Sequence, residues 1–256
     1  MASEVRHQVD TGQAYPVVRV TGVLDAATAP SVRSCLLGLL ADQPEALVVD
    51  VRQLTVGAPD AVAALTGLAR DAADWPGCHL LLSAAPGASA WRDTGLPVWP
   101  TPEEAIAALG APEPRRFRRA PLEPVVGAAR RSRELVTEAC ARWDLPDLAG
   151  PACIVVTEMV NNVVAHAHTP MTVLFALRGE SMSVAVRDDS TYVPRFTGSP
   201  VPVTSYGGRG LLLIDSVAQR WGSLPLDDGK VVWAVLDAGE STSQLPSTGL
   251  AGHARG

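Results

Sequence analysis

The segment GAPEPRRFRRAPLEP, residues 110–124, limits what this chain can fold into more than any other. Pro112, Pro114, Pro121 and Pro124 each lack an amide donor and hold φ near one value, so no helix runs through the segment and no central strand includes it. The composition reads as a semi-rigid Pro/Arg-rich linker over residues 111–121. The chain then divides into an N-terminal unit over 1–110 and a C-terminal unit over 122–238. A low-complexity tail over 239–256, GESTSQLPSTGLAGHARG from Gly239, is expected to be disordered. The basic cluster Arg115, Arg116, Arg118 and Arg119 has two readings, a solvated connector or a surface for an acidic partner.

Bulk properties remove several function classes. The net charge of -6 over 256 residues argues against a general nucleic-acid binder. Only 5% of residues are aromatic, too few for a platform that stacks single-stranded bases. Cys35, Cys78, Cys140 and Cys153 are scattered without a CxxC pair or nearby histidine ligands, which reads as free thiols in a reducing compartment. The opening MASEVRHQVD has no apolar core for a secretory leader, and no uninterrupted apolar run is long enough to span a bilayer. The expectation is a cytoplasmic protein with no membrane or direct nucleic-acid partner.

Before the proline segment, apolar β-branched runs alternate with helical patterns. YPVVRVTG, EALVVDVRQL and CHLLLSAA read as strands, and LPVWP as a short edge strand. APSVRSCLLGLLAD carries Pro30 in its first turn, PDAVAALTGLARDAADW forms a second helix, and TPEEAIAALG opens with Thr101 and Glu104 at capping-box spacing. The result is an α/β unit with crossover helices on a mixed sheet. VVRVTGVLDAATAPSVRSCL and ALVVDVRQLTVGAPDAVAALTGLAR resemble the STAS domain of bacterial anti-sigma factor antagonists, over roughly Val5 to Leu109. That family carries an Asp-Ser-Ser-Gly loop phosphorylated on its second serine. This chain has Ala58-Pro59-Asp60-Ala61 there, with no hydroxyl at either serine position and Asp60 at the degenerate phosphoacceptor position. Asp60 reads either as a mimic of the phosphorylated residue or as a cap of the helix after it.

The C-terminal unit opens with an amphipathic helix, EPVVGAARRSRELVTEACARWDL, and a second helix over roughly Ala149 to His168. Within the second, TEMVNNVVAHAHT carries Glu158, Asn162 and His166 at four-residue steps, a polar stripe beside a valine-rich face. Strands MTVLFALRGE and SMSVAVRDDS come next, then a Pro/Ser/Thr/Gly-rich loop from Ser190 to about Tyr206, the helix GGRGLLLIDSVAQRWG and a last strand KVVWAVLD. Helices on one face of a largely antiparallel sheet make an α/β sandwich. An Asn oxygen suits Mg²⁺, which takes oxygen donors and keeps waters. Glu158 could accept a proton from an attacking hydroxyl. Asp188 could accept a hydrogen bond from the exocyclic amine of a base. Gly207, Gly208 and Gly210 before a helix let backbone amides approach a phosphate.

The order of these groups resembles the GHKL (Bergerat) ATPase superfamily, most closely its anti-sigma factor serine kinases, over about Arg119 to Asp237. TEMVNNVVAHA is similar to that family's Glu-x-x-x-Asn box, implying Glu158 as general base and Asn162 as magnesium ligand; Asn161 carries no role. VRDDS resembles the adenine box, with Asp188 on the base and Ser190 where the family has glycine. GGRGLLLIDSVAQRWG is similar to the second glycine box, which implies Gly208, Arg209, Gly210 and Leu211 around the phosphates. The resemblance implies ATP and Mg²⁺ as cofactors and a mobile lid between Ser190 and Tyr206. It also implies serine/threonine kinase activity toward a STAS antagonist in a partner-switching pathway. The alternative is a catalytically weak, nucleotide-responsive module that sequesters a sigma factor or antagonist. A sensor histidine kinase is disfavoured, because no helical dimerisation segment with a phosphorylatable His precedes the ATPase half. A homodimer is left open. The short tether is expected to dock the STAS-like half on its neighbour as a pseudo-substrate, with Asp60 presented to the ATPase half.

Overall fold

The computed structural model describes residues 4–76, 78–112, 116–192 and 208–237. The first sheet has the order β1-β2-β3-β4-β5, from Val5–Asp10, Val17–Leu24, Ala46–Val56, His79–Ser83 and Val98–Trp99. β1 pairs antiparallel with β2 and the other pairings are parallel, which makes the mixed sheet expected of this half. Helices α1 (Ala29–Ala41) and α2 (Ala63–Asp74) cross over one face, and α3 (Pro102–Leu109) covers the other. The capping box forms as the spacing requires: the Glu104 N–H donates to Thr101 Oγ1 at 3.2 Å. β1 escapes a sequence reading because VRHQVD is almost wholly exposed and carries little apolar signal.

The second sheet is antiparallel throughout, in the order β6-β7-β8-β10-β9. Its strands are Arg116–Leu122 (β6), Met171–Arg178 (β7), Ser181–Asp188 (β8), Arg220–Leu226 (β9) and Gly229–Asp237 (β10). Helices α4 (Ala128–Trp143), α5 (Pro146–Asn162) and α6 (Gly208–Val217) pack on one face. The sequence pattern extends the last helix into β9; the chain instead leaves α6 at Val217 and pairs with β10 from Arg220. The α/β two-domain architecture expected from the sequence is the one observed. The stretch Pro146–Ala167 has the length and mean hydropathy of a helix that could cross a membrane, although Asp147, Glu158, Asn161 and Asn162 interrupt it, so no uninterrupted apolar run spans it. Here it is the central core helix with the turn at its end.

The linker is corrected. Residues 116–122 are not a connector but the edge strand β6, paired along its length with β7. An edge position accommodates Pro121, whose missing N–H breaks no ladder, and the arginines blunt an exposed edge. Alternation along β6 sorts the cluster by face. Phe117 joins the core shared with α1 and α2, and Arg119 pairs with Asp42 at 2.8 Å. On the other side Ala120 and Leu122 join the α4–α5 core, and Arg118 pairs with Glu138 at 2.6 Å. The acidic partners of these two arginines therefore lie within the chain. Residues 113–115, including Arg115, and the tail over 239–256 lie outside the described residues.

The two halves form one continuous core. Val231, Trp233 and Val235 of β10, with Leu174, Ala185, Leu224 and Leu226, pack against the layer of α1 and α2. Trp75 meets Trp233 edge to face, with ring centroids 6.2 Å apart and planes at 85°, a geometry aromatic pairs favour. Arg187 also lies 3.9 Å from Asp42, and Arg178 hydrogen-bonds His79 at the rim. The intervening residues Val232, Ala234 and Leu236 face α5 instead. The sheet thus stands between α1–α2 and α5. The expected pseudo-substrate docking is not formed: the burial of one apolar sheet face outweighs a tethered loop contact, and Asp60 is not presented to Glu158.

Candidate functional site

Pro146 occupies the start of α5, where its absent N–H breaks no helical bond. Ala152, Val155, Val156, Met159 and Val160 turn into the core. Glu158 and Asn162, one turn apart, are left half-buried beside that face. Among the described residues neither side chain makes a hydrogen bond, so both are available. Asn162 is the last α-helical residue. Val163–Ala167 form a π-helical turn, in which the His168 N–H donates to the Val163 carbonyl at 2.8 Å. Such single turns recur at functional sites. The widened turn rotates the end of the helix, so His166 leaves the expected stripe and is exposed. Asn161 is exposed as well.

α6 brings the glycines to Glu158. A Cβ on Gly210 would lie 2.7 Å from Glu158 Oε2, so glycine alone lets the first turn of α6 lie against that carboxylate undisturbed. Leu211 and Ile214 hold α6 in the core, which leaves Leu211 its backbone for any ligand. The first-turn N–H groups, from Gly208 onward, have no acceptor within the helix, and a helix end of this kind suits an anion. Residues 193–206 of the lid expected between Ser190 and Tyr206, Gly207 and the Arg209 side chain lie outside the described residues.

Asp188 ends β8 with only 1% of its surface exposed. Directly across the ladder stands Lys230 of β10, also buried, with Nζ 2.8 Å from Asp188 Oδ1. The Ser190 N–H donates to the same oxygen at 2.8 Å, and Nζ donates to the Ser190 carbonyl at 3.1 Å. Both bonds use the Ser190 backbone, which closes a tight turn at the position where the resemblance has glycine. The Asp189 N–H donates to Thr169 Oγ1 at 3.2 Å. Asp188 Oδ2 is buried and, among the described residues, has no partner. Leaving a buried acceptor unsatisfied costs about 1–3 kcal/mol, which a donor on a ligand would recover.

Lys230 and Gly229 are not singled out by any motif in the sequence. A Cβ on Gly229 would fall 2.1 Å from the Asp188 carbonyl, so the β9–β10 hairpin is pressed onto the end of β8. The available signal is DDGK: an Asp-Gly turn between apolar runs marks a hairpin, which sets Lys230 at its base. Asp60 is exposed in a 3₁₀ turn, Pro59–Val62, and makes no capping bond at α2, so the capping reading of that residue is not realised. Among the described residues no group of three His, Cys, Asp or Glu side chains could hold a metal ion. A hard cation would rest on the Asn162 oxygen, ligand oxygens and water. Cys140 is pushed up to about 11 by burial, with Cys153 adding to it, and is an inert core thiol.

Residues 122–236 match the model of the histidine kinase-like ATPase domain. The uncharacterized protein SCO4941 of Streptomyces coelicolor is 38% identical over 79 residues, which cover 30% of this chain and 75% of that protein. Among solved structures, an anti-sigma factor antagonist from Mycobacterium paratuberculosis is 25% identical, with 41% of this chain and 93% of that chain covered and a TM-score of 0.35. The anti-sigma factor antagonist SpoIIAA in its unphosphorylated form is 18% identical, with 41% and 96% covered and a TM-score of 0.32.

Proposed function

We propose that this chain, which belongs to the family of the uncharacterized protein SCO4941 and carries a histidine kinase-like ATPase domain over 122–236, is an ATP-binding regulatory protein that phosphorylates a serine or threonine on a partner STAS-domain protein. The observation that carries the reading is the seating of Gly210 against Glu158. It joins a candidate proton acceptor to an anion-binding helix end, which a purely structural helix pair has no reason to do.

The residues fit a magnesium nucleotide. Asp188 Oδ2 lacks a donor and would accept an exocyclic amine of the base. The first-turn amides of α6, at Gly208, Arg209, Gly210 and Leu211, would receive phosphate oxygens. The Asn162 amide oxygen would ligate Mg²⁺. When bound, Mg-ATP supplies the transferable phosphoryl group and a cation that offsets its charge. Glu158 would take the hydroxyl proton of the partner's side chain onto its carboxylate, and catalysis would otherwise come from positioning. Glu158→Gln should leave ATP binding intact and lower phosphate transfer by about two to four orders of magnitude. Labelled Mg-ATP with candidate STAS proteins tests this, and undiminished transfer in the variant moves the base elsewhere.

A second reading is a binding module in which nucleotide acts only as a conformational ligand. The shared core favours it: the STAS-like half is fixed to the back of the nucleotide-site sheet and offers Asp60 where a hydroxyl would be. ATP binding without transfer to any STAS partner would select this reading.

A further inference from the structure

Lys230 is 6% exposed and Asp188 1% exposed. Lysine is rarely buried to this degree unless its charge is paired. Two of its three N–H donors go to Asp188 Oδ1 and the Ser190 carbonyl, and the Ser190 N–H takes the same Oδ1. Among the described residues every hydrogen bond to the carboxylate is thus drawn to one oxygen, and the other is buried without one. We propose that Lys230 is a specificity-determining positioning residue of the base pocket: by pinning Asp188 through Oδ1 it presents Oδ2 alone, so that the pocket takes 6-aminopurine nucleotides over 6-oxopurine ones. This role rests on the nucleotide reading of the site and extends it to the choice of base.

The preference comes from the inventory of donors. A carboxylate oxygen only accepts. A 6-amino group offers it an N–H, whereas a 6-oxo group sets a second acceptor against it, and only a shift of the ring that brings the neighbouring N1–H to Oδ2 would restore a pairing. Sites that lose a buried polar pairing in this way discriminate strongly. Lys230 matters because the pinning ammonium engages Oδ1, leaves Oδ2 as the acceptor still open to a donor and supplies the counter-charge. Without it the buried carboxylate loses both its orientation and its compensation, and the preference for a donor at position 6 falls with them. The hairpin enforces the arrangement, since Gly229 against the Asp188 backbone locks Lys230 across from it.

ATP and ITP differ at position 6 of the base and in the proton that the 6-oxo form carries on N1, so their affinities for the full-length chain in Mg²⁺, measured by calorimetry, test this role. The wild type should prefer ATP by at least roughly tenfold, a cautious floor for a lost buried hydrogen bond. Lys230→Met should bring the ratio toward one, with ATP losing more affinity than ITP, and Lys230→Arg should keep part of it. Should Lys230→Met fail to melt cooperatively, Lys230→Gln, which keeps a donor but no charge, is read the same way. Variants that fold and weaken both nucleotides equally, or leave the ratio intact, reduce Lys230 to a structural brace and overturn the proposal. A wild type that binds neither nucleotide overturns the nucleotide reading itself.

Discussion

The two faces of the C-terminal sheet are made by alternate residues of the same strands and come to opposite ends. On β10, Val231, Trp233 and Val235 enter the joint with the N-terminal half, while Val232, Ala234 and Leu236 sit under the helices of the candidate site. The joint is apolar at its centre, and among the described residues it carries charges at its rim, Arg119, Arg187 and Asp42 with Arg178 beside His79. The site face carries the buried Asp188–Lys230 pair at one end and an acceptor left without a donor. Among the described residues the joint also leaves a buried donor unpaired, Trp75 Nε1, but that atom belongs to an aromatic pair sealed between two apolar layers. On the site face the unpaired atom is a carboxylate acceptor at the end of β8, which suits a ligand that brings a donor.

Breaking the joint should have the largest effect. Trp233 is 5% exposed and meets Trp75 edge to face, so Trp233→Ala should cost about 3–5 kcal/mol, the usual range for a buried aromatic. Denaturant unfolding should show that loss, with both halves still melting together. Two separate transitions would mean that the halves are independent. Deleting the N-terminal half is a poor test of its influence on the site, since it uncovers the whole apolar face, and a cut at Arg119 also severs β6.

On the site face, Asn162→Ala should weaken Mg-ATP binding by roughly tenfold or more, the value of a hydrogen bond or contact to a charged group. Circular dichroism should be unchanged because the side chain is only half-buried. Affinity unchanged in calorimetry would remove Asn162 from the site. Gly210→Ala sharpens the contrast. Its Cβ would displace the flexible end of Glu158, and misplacement of about 1 Å costs up to on the order of a hundredfold in rate. Helix stability should hold or rise by about 0.5–1 kcal/mol, as for glycine replaced within a helix. A variant as active as the wild type would show that Glu158 needs no fixed position.

The smallest effect concerns the rim of the joint. Burial lowers the His79 pKa below its usual 6.5, Arg178 lowers it further, and Glu45 acts the other way. A histidine with a depressed folded-state value binds its proton more readily when unfolded. Stability is therefore fully present above about pH 6.5 and is lost as pH falls from there through the folded-state value. His79 is exposed, so the change is small. Melting temperatures of the wild type and His79→Gln, compared between pH 7 and pH 5, should converge at the acid end. Parallel curves would assign the acid sensitivity to other groups.

Order and spacing made much of this legible. Thr101 and Glu104 announce their cap, and Glu158 and Asn162, four residues apart, had to share a helix flank whatever the helix packed on. Local rules of period and capping need no knowledge of the rest of the chain. They fail where a neighbour decides the outcome. Pro121 and four arginines read as a linker until β7 supplies a ladder that an edge strand can join. His166 belongs to the stripe until the π-helical turn rotates it away. Lys230 is an ordinary strand residue until the hairpin register sets it against Asp188. Period, capping and residue chemistry, all carried in the linear chain, specify the elements, the two units and the chemical character of the site. Which sheet face the N-terminal half covers, and which oxygen of Asp188 is left bare, emerge only in the folded chain, because both depend on contacts between residues far apart in sequence.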